Sequence, residues 1–508
     1  MAPHLTRLAH RTGAGAGNKG SFDRRLLPPM MLGSVLNPVN SSIISVSLVP
    51  IGAAFGAPPA QTAWLISALY LATAIGQPVV GRLIDLHGPR RLFLAGTALT
   101  GVAGLVGVLA PNLGVLIAAR VLLGFGTCAG YPAAMNLIRS EAARTGRDSP
   151  AGVLTALAVT NQTVAVIGPS LGGLLIGLGG WRATLAVNIP LALAGLLLGA
   201  LRLPRTPPAR EGGRGAAALD LPGMALFSAT LVSLLLFLMD PRLAHWWLPV
   251  LTAVLAAAFA RRELRLPEDP FIDLRVLAGN GPLLATYGRA LLGYVVSYAF
   301  LYGYTQWLEE GRGLSASQTG LAQLPLFATA IAVSAAFGRR AEIRRKLLVG
   351  GVFQVAACAL LLFLGAGGTV WLLVAVAVVF GVPQGLNSLA LQNAVYHQAQ
   401  PERIGSSAGL LRTFGYLGAI VASAANGVFF PHRADTAGMH HLAWFLVAVS
   451  VAFLVVTVAD RSLARIGVPS APPGPPAPAA SAPDSASAAS ASDADADADA
   501  DPPKGATP

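Results

Sequence analysis

This 508-residue chain predicts an all-α polytopic membrane fold, on three observations. Hydrophobic residues make up 54% of it and charged residues 11%, where a soluble domain carries about 25% charged residues. The apolar residues come in runs near the roughly 20 residues that a spanning helix needs. The charges recur in short clusters between those runs and form no single patch. Lipid offers backbone groups no partner and the runs are too long for barrel strands, so helices follow.

Taken in order, residues 1–28 form a basic tail carrying Arg7, Arg11, Lys19, Arg24 and Arg25. The tail lacks the apolar core of a cleavable leader, so the first apolar run is expected to act as an uncleaved anchor. Spans are predicted at 29–52, 62–81, 92–110, 113–137, 152–178 and 183–201, the first six-helix half (29–203). A loop and an extra pair at 221–239 and 245–260 fill 204–262. Spans at 282–308, 318–337, 347–366, 369–395, 405–430 and 441–459 make the second half, within 263–460. The count is fourteen. Residues 461–508 are rich in Ala, Pro and Asp, show no periodic apolar face and predict a disordered tail.

Fourteen spans put 28 of the 35 Lys and Arg on the side of the two termini. Four, Arg182, Arg242, Arg312 and Arg433, fall on the opposite side, and Arg120, Arg289 and Arg412 lie within spans. The positive-inside rule makes the rich side cytoplasmic. The net charge of +12 is therefore read as topology, and nucleic acid is not expected as a partner. Cys128 and Cys358 both lie in apolar runs and give no disulfide framework. No metal site and no cofactor are expected.

The chain repeats itself. GFGTCAGYPAAMNLI (124–138) is echoed by GVPQGLNSLALQNAV (381–395), and GRLIDLHGPRRLFLAG (81–96) by GRRAEIRRKLLVGG (338–351). Transporters are commonly built from such repeats, with a substrate site between the halves.

Polar residues inside the spans mark the candidate site. Arg120 lies well inside span four, where a central arginine costs about 2.5–3.5 kcal/mol on translocon scales and needs a cavity or a partner. Packing against backbone carbonyls is the alternative. Arg289 and Arg412 lie nearer span ends, where they can snorkel. On span nine, Tyr287, Tyr294, Tyr298 and Tyr302 share one helix face, for a cavity or for packing. Tyr304 and Trp307 lie closer to the outer interface, as belt anchors would. Asn37, Asn40 and Ser41 on span one, Asn161 and Gln162 on span five, and Gln384, Asn387 and Ser388 on span twelve complete the set. Every Asp and Glu fits a loop, a tail or a span end, with Asp85, Asp240, Glu309 and Glu310 near the membrane faces.

In GRLIDLHGPRR (81–91), Gly81 permits close helix approach, Asp85 can pair with Arg91, and Gly88-Pro89 forces a turn. The segment resembles the G-x-L-a-D-r-x-G-r-[KR] signature of the major facilitator superfamily, with Arg90 and Arg91 at its basic end. RVLLGFG (120–126), GPSLGG (168–173), GGWRATLAVNIPLA (179–192) and QTAWLISALYLA (61–72) resemble further motifs of its fourteen-span drug:proton antiporter branch. LDLPG (219–223) is similar to the entry into the extra pair, and the resemblance covers roughly residues 30–460. It implies a major facilitator fold with spans one, four, nine and twelve lining the cavity. It also implies that Arg120 takes part in proton coupling and that Gly168, Pro169, Gly172 and Gly173 form the motif that marks exporters. On physical grounds that motif is a small-residue contact face bent by a proline. Asn40 stands where the branch usually has an Asp, so its usual intramembrane carboxylate is not evident.

The expectation is an exporter of small molecules working by alternating access in a bacterial cell membrane, with both termini cytoplasmic. Arginine without a buried acid favours moderately apolar, neutral or anionic substrates. Protons are an expected second partner. A facilitator or importer without proton coupling is the rival within the class. An enzyme is not expected, since no nucleotide loop, metal cluster or catalytic grouping occupies any loop.

Overall fold

Prolines and caps start the helices where the sequence turns from polar to apolar. In the computed structural model, described over residues 22–145, 151–204, 220–266, 271, 274–337, 342–365, 367–399 and 404–465, every regular element is helical. In order they are α1 (Leu27–Ile43), α2 (Leu48–Phe55), α3 (Pro59–His87), α4 (Pro89–Val108), α5 (Leu113–Thr127) and α6 (Gly130–Thr145). Next come α7 (Ala151–Ala186), α8 (Asn188–Arg202), α9 (Leu221–Met239), α10 (Trp247–Arg265), α11 (Leu274–Ala278) and α12 (Gly281–Gln306). The last six are α13 (Ala316–Ala322), α14 (Leu324–Phe337), α15 (Ile343–Leu360), α16 (Val370–Gln398), α17 (Ile404–Phe429) and α18 (Thr436–Ala459). Asn112, Asn280 and Asp435 cap α5, α12 and α18 by accepting from Val115, Leu283 and Gly438 N–H groups at 2.9, 3.0 and 2.7 Å. Each such cap contributes about 1 kcal/mol.

Nine helices among the described residues are long and apolar enough to cross a membrane, and two bent pairs raise this to as many as eleven. The helices on predicted spans nine and thirteen fall short because tyrosine, arginine and glycine dilute them. The count of fourteen crossings therefore remains a proposal. Span one is broken: the backbone bends by 61° between Val46 and Leu48. Predicted spans five and six are separated by a break at Gly179 (φ −147°) and Gly180 (φ 68°) within α7. Residues 22–465 fall in one compact unit; the predicted tail lies outside the described residues after Arg465.

The internal repeat reappears in the packing. In the first half α1 packs on α7, α4 on α8, α3 on α5 and α4 on α5. In the second, α12 packs on α17, α15 on α18, α14 on α16 and α15 on α16, the same four pairings. Two seams join the halves, α3 with α17 and α7 with α13, and each is the image of the other under that repeat. The extra pair docks through α9 onto α3 and α17, leaving α10 outermost. Large apolar side chains stay exposed on α8 (Leu193, Leu197, Leu201), α15 (Val349, Val352) and α18 (Val451, Val455, Val458). Water would penalise such bands, whereas lipid does not.

Candidate functional site

The site grows from the break in span one. The last turn of a helix leaves its carbonyls without helical donors. Here each of the four carbonyls of Asn40–Ile43 accepts a side-chain donor. Asn40 O accepts from Arg120 of α5 at 3.4–3.5 Å, and Ser41 O from the Tyr302 hydroxyl of α12 at 3.2 Å. Ser42 O and Ile43 O accept from the hydroxyls of Ser45 and Ser47 at 2.8 and 3.1 Å. The serine-rich sequence SSIISVS thus stabilises its own break. Neighbouring carbonyls at that break bind one donor from each half of the protein.

Arg120 is 1% exposed and donates from Nε to Leu65 O at 3.0 Å as well. It has no ion pair among the described residues. Above it the tyrosines gather. Tyr302 and Tyr70 of α3 bring their hydroxyls to 3.0 Å. Tyr294, Tyr298 and Tyr302 stack in sequence at 6.0 and 5.8 Å between centroids, and Tyr70 touches Tyr298 and Tyr416 of α17 at 5.2 and 5.8 Å. Arg412 lies 3.5 Å over the ring of Tyr131 on α6, a further contact between the halves. Six of the chain's nine tyrosines are thereby held at the meeting of the halves.

Exposure changes along this cluster. Tyr302, Tyr70 and Arg120 are fully buried. Tyr298, Tyr294, Gln384, Arg412 and Tyr131 are half-buried although they sit among helices. The accessible layer lies toward the α12 N-terminus, the end of the bundle that bears the Gly88 turn. The opposite end is closed by the seams. Ser170 donates to Gly320 O at 3.0 Å, Ser317 to Gly173 O at 2.7 Å and Ser423 to Ala63 O at 2.8 Å. A Cβ on Gly173 would lie 2.6 Å from Ala316 O, and one on Gly320 2.8 Å from Pro169 O. The GPSLGG segment is thus a place where the backbones of the two halves come close, as glycine permits. Gly168 and Gly172 serve the same purpose toward Ser42, Ile43 and Val46 of span one.

Other sequence-selected residues point elsewhere. The Asn40 side chain is buried in a reciprocal pair with Asn188 of α8 at 2.7 and 2.9 Å. Asn387 bonds Gln354 of α15 at 3.1 Å, and Tyr287 stacks on Phe414 and donates to Ser407 O at 3.0 Å. Tyr304 and Trp307 are buried inside the second half and do not reach lipid. Asn37 does face inward, donating to Thr127 and Thr73 hydroxyls at 3.1 and 3.4 Å. Gln384 accepts from Ser297 at 3.3 Å. The side chains of Asn161, Gln162 and Asp85 lie outside the described residues. Around Asp85, Gly88 (φ 84°, ψ 154°) makes the turn, Arg90 caps α8 through Ala200 O at 2.9 Å, Arg91 is exposed, and Gly81 has open space beside it.

Reading the sequence missed Tyr70, Tyr131 and Tyr416. Each stands alone in its span, so periodicity gives no sign of it. Tyr70 sits within the QTAWLISALYLA segment, where an aromatic one turn from Ile66 passes for packing.

The sequence profile of the Major Facilitator Superfamily matches residues 30–423. An uncharacterized MFS-type transporter of Bacillus subtilis, YwoD, is 31% identical over 85% of this chain and 96% of its own length. The methylenomycin A resistance protein of Streptomyces coelicolor is 27% identical, covering 85% and 91%, and the cephamycin export protein of Amycolatopsis lactamdurans 28%, covering 86% and 91%. The crystal structure of a nucleoside transporter, NupG, superposes with a TM-score of 0.57 at 12% identity, over 86% of this chain and 99% of that one, which shows the shared fold. With a helical bundle, a repeated packing pattern and a polar site between the repeats, the chain belongs to the major facilitator superfamily.

Proposed function

We propose that the protein exports moderately apolar, neutral or anionic small molecules by alternating access, driven by proton antiport. The observation that supports this most is the exposure step along α12. Tyr294 and Tyr298 remain accessible while Tyr302, Tyr70 and Arg120 are sealed. With the Gly88 turn cytoplasmic, as the arginine distribution favours, the cavity is open inward and shut outward. Arg412 and Arg120 give it a positive field, and stacked tyrosines offer flat, amphipathic walls. Several relatives carry names of antibiotic resistance or export, which favours efflux over uptake.

Arg120 is the coupling residue in this reading. Its carbonyl partner belongs to the span-one break, and that break is also held by Tyr302 from the other half. Movement of the halves therefore changes its surroundings directly. Flux of labelled compounds in proteoliposomes, with and without an imposed pH gradient, tests the proposal. Acceleration by an inward-directed proton gradient is expected. Flux indifferent to the gradient would leave a facilitator, and preference for cations over anions would remove the substrate class.

A further inference from the structure

At the end of the bundle opposite the Gly88 turn, a pocket of about 650 Å³ lies between the halves. One wall is Val49, Ala53 and Pro58 of α2 and its following turn; the other is Glu309, Glu310 and His432. Glu309 sits in the π-helical turn Trp307–Gly311 that follows α12, is 8% exposed, and has a buried Oε1 with no hydrogen-bond partner. Two more buried oxygens in this region lack partners, Gln306 Oε1 one turn inward and Thr319 Oγ1 on α13, which packs against the same turn. One further turn along α12 is Tyr302, bonded to Tyr70. Polar side chains thus line one helix from the pocket to the tyrosine cluster.

The charged and titratable groups nearby are committed elsewhere. Glu310 Oε2 accepts from Ala434 N–H at 2.5 Å, and Arg433 donates to Glu310 O at 2.5 Å. Arg312 donates to the Gly365 and Gly368 carbonyls. On α18, Asp435 caps its own helix through Gly438, His440 bonds Leu364 O, and His441 is exposed. His432 stands exposed on the rim, and Val49–Pro59 contains no titratable side chain. Among the described residues no cation forms an ion pair with Glu309. An ionised carboxylate buried in this way is costly, and the protonated carboxyl much less so.

The geometry points to a proton-binding site here: Glu309 takes up a proton when the halves close over this pocket and gives it back when they part. Burial, with the neighbouring Glu310 charge second, pushes its carboxyl up to about 9 in the closed arrangement. In water the same group would titrate near 4.3. The sign follows. Closure is favoured in full below the ordinary carboxylate pKa and loses that support as pH rises through about 9. At neutral pH each closure of this face therefore consumes one proton. The proton is taken up and returned at the same face, so it sets the closing equilibrium and is not itself carried across; the inference deepens the alternating-access reading above and rests on it.

The test uses the full chain in nanodiscs, with spin labels at Ala54→Cys and Ala437→Cys. Both positions are exposed, one in each half, while native Cys128 and Cys358 are buried. The distance distribution is measured from pH 5 to 10. The short-distance fraction should fall as pH rises above the ordinary carboxylate range and level off above about 9, where Glu309 has lost its proton in the closed arrangement as well. Glu309→Gln, a permanently neutral mimic, should hold the short distance throughout. Glu310→Gln should keep the transition and move it to lower pH, which guards against a misfolded first variant. A parent distance that ignores pH, or an unchanged profile in Glu309→Gln, overturns the site. Parallel flux measurements separate the two readings. Gradient-driven flux with a pH-independent distance removes the site and keeps coupling. A transition abolished by Glu309→Gln with gradient-indifferent flux keeps the site and removes coupling.

Discussion

Arg289 and Arg120 are buried alike, at 0% and 1% exposure, and are held in opposite ways. Arg289 has a carboxylate, Asp460, at 2.8 Å and the Thr286 hydroxyl at 2.7 Å, all within the second half. Among the described residues Arg120 hydrogen-bonds to backbone carbonyls alone, from the broken span one and from α3. The partners of the first arrangement all lie inside one half, and movement between the halves leaves them in place. The second is anchored at a helix break shared with the other half through Tyr302, and it must change when the halves move. Depth in the membrane is therefore a poor guide to function, and the mobility of the partner is a better one.

The largest effect expected from this contrast is on Arg120. Arg120→Ala removes a charged donor from the Asn40 and Leu65 carbonyls, at about 1.5–3 kcal/mol each. Flux should fall roughly hundredfold, at about 1.4 kcal/mol per tenfold, while the protein still inserts and stays monodisperse. Asp460→Asn should do the reverse: lose stability by about 3 kcal/mol, the lower end for breaking a buried pair, with flux per folded molecule little changed. Melting in detergent measures this, and pH adds a check. Burial raises the Asp460 carboxyl, but bonds from Ser462 and Arg289 outweigh that and leave it below the usual range. Its contribution is thus present above the ordinary carboxylate pKa and is lost as pH falls through the lowered value.

Gly173→Leu comes next. Its side chain meets the Ala316 carbonyl, and overpacking of this kind costs about 1–3 kcal/mol, borne only when the seam is closed. Flux should drop about tenfold, at about 1.4 kcal/mol per tenfold, with melting nearly unchanged. The smallest effect is expected for Tyr302→Phe, which removes the bonds to Ser41 O and the Tyr70 hydroxyl. A net loss of about 1 kcal/mol shifts the access equilibrium roughly fivefold toward outward opening, readable as faster labelling of an outer-pocket cysteine at Ala57.

Much of the fold was legible because lipid imposes long apolar runs, and those runs record themselves. The span-one break was less so. SSIISVS reads as a polar patch, and only the structure shows its hydroxyls capping a helix end. The cavity face of α12 could be read since Tyr294, Tyr298 and Tyr302 repeat every fourth residue. Asn40 and Asn387 show the limit of that method. Each is polar within the membrane, but one helix's sequence does not tell whether a polar face meets a cavity or a partner such as Asn188 or Gln354. Glu309 was noted as an acid near the membrane face; its burial depends on residues 49–59, some 250 positions away, and no local pattern encodes that.

The central claim is one-sided access to a site sealed by the Tyr302–Tyr70–Arg120 layer. Gln384→Cys, half-buried on the accessible side, tests it most directly. In oriented vesicles without substrate, an impermeant thiol reagent should modify this position from the cytoplasmic side at least tenfold faster than from the outside, a bias of about 1.4 kcal/mol. Equal rates from both sides, or a faster outer rate, would contradict the account.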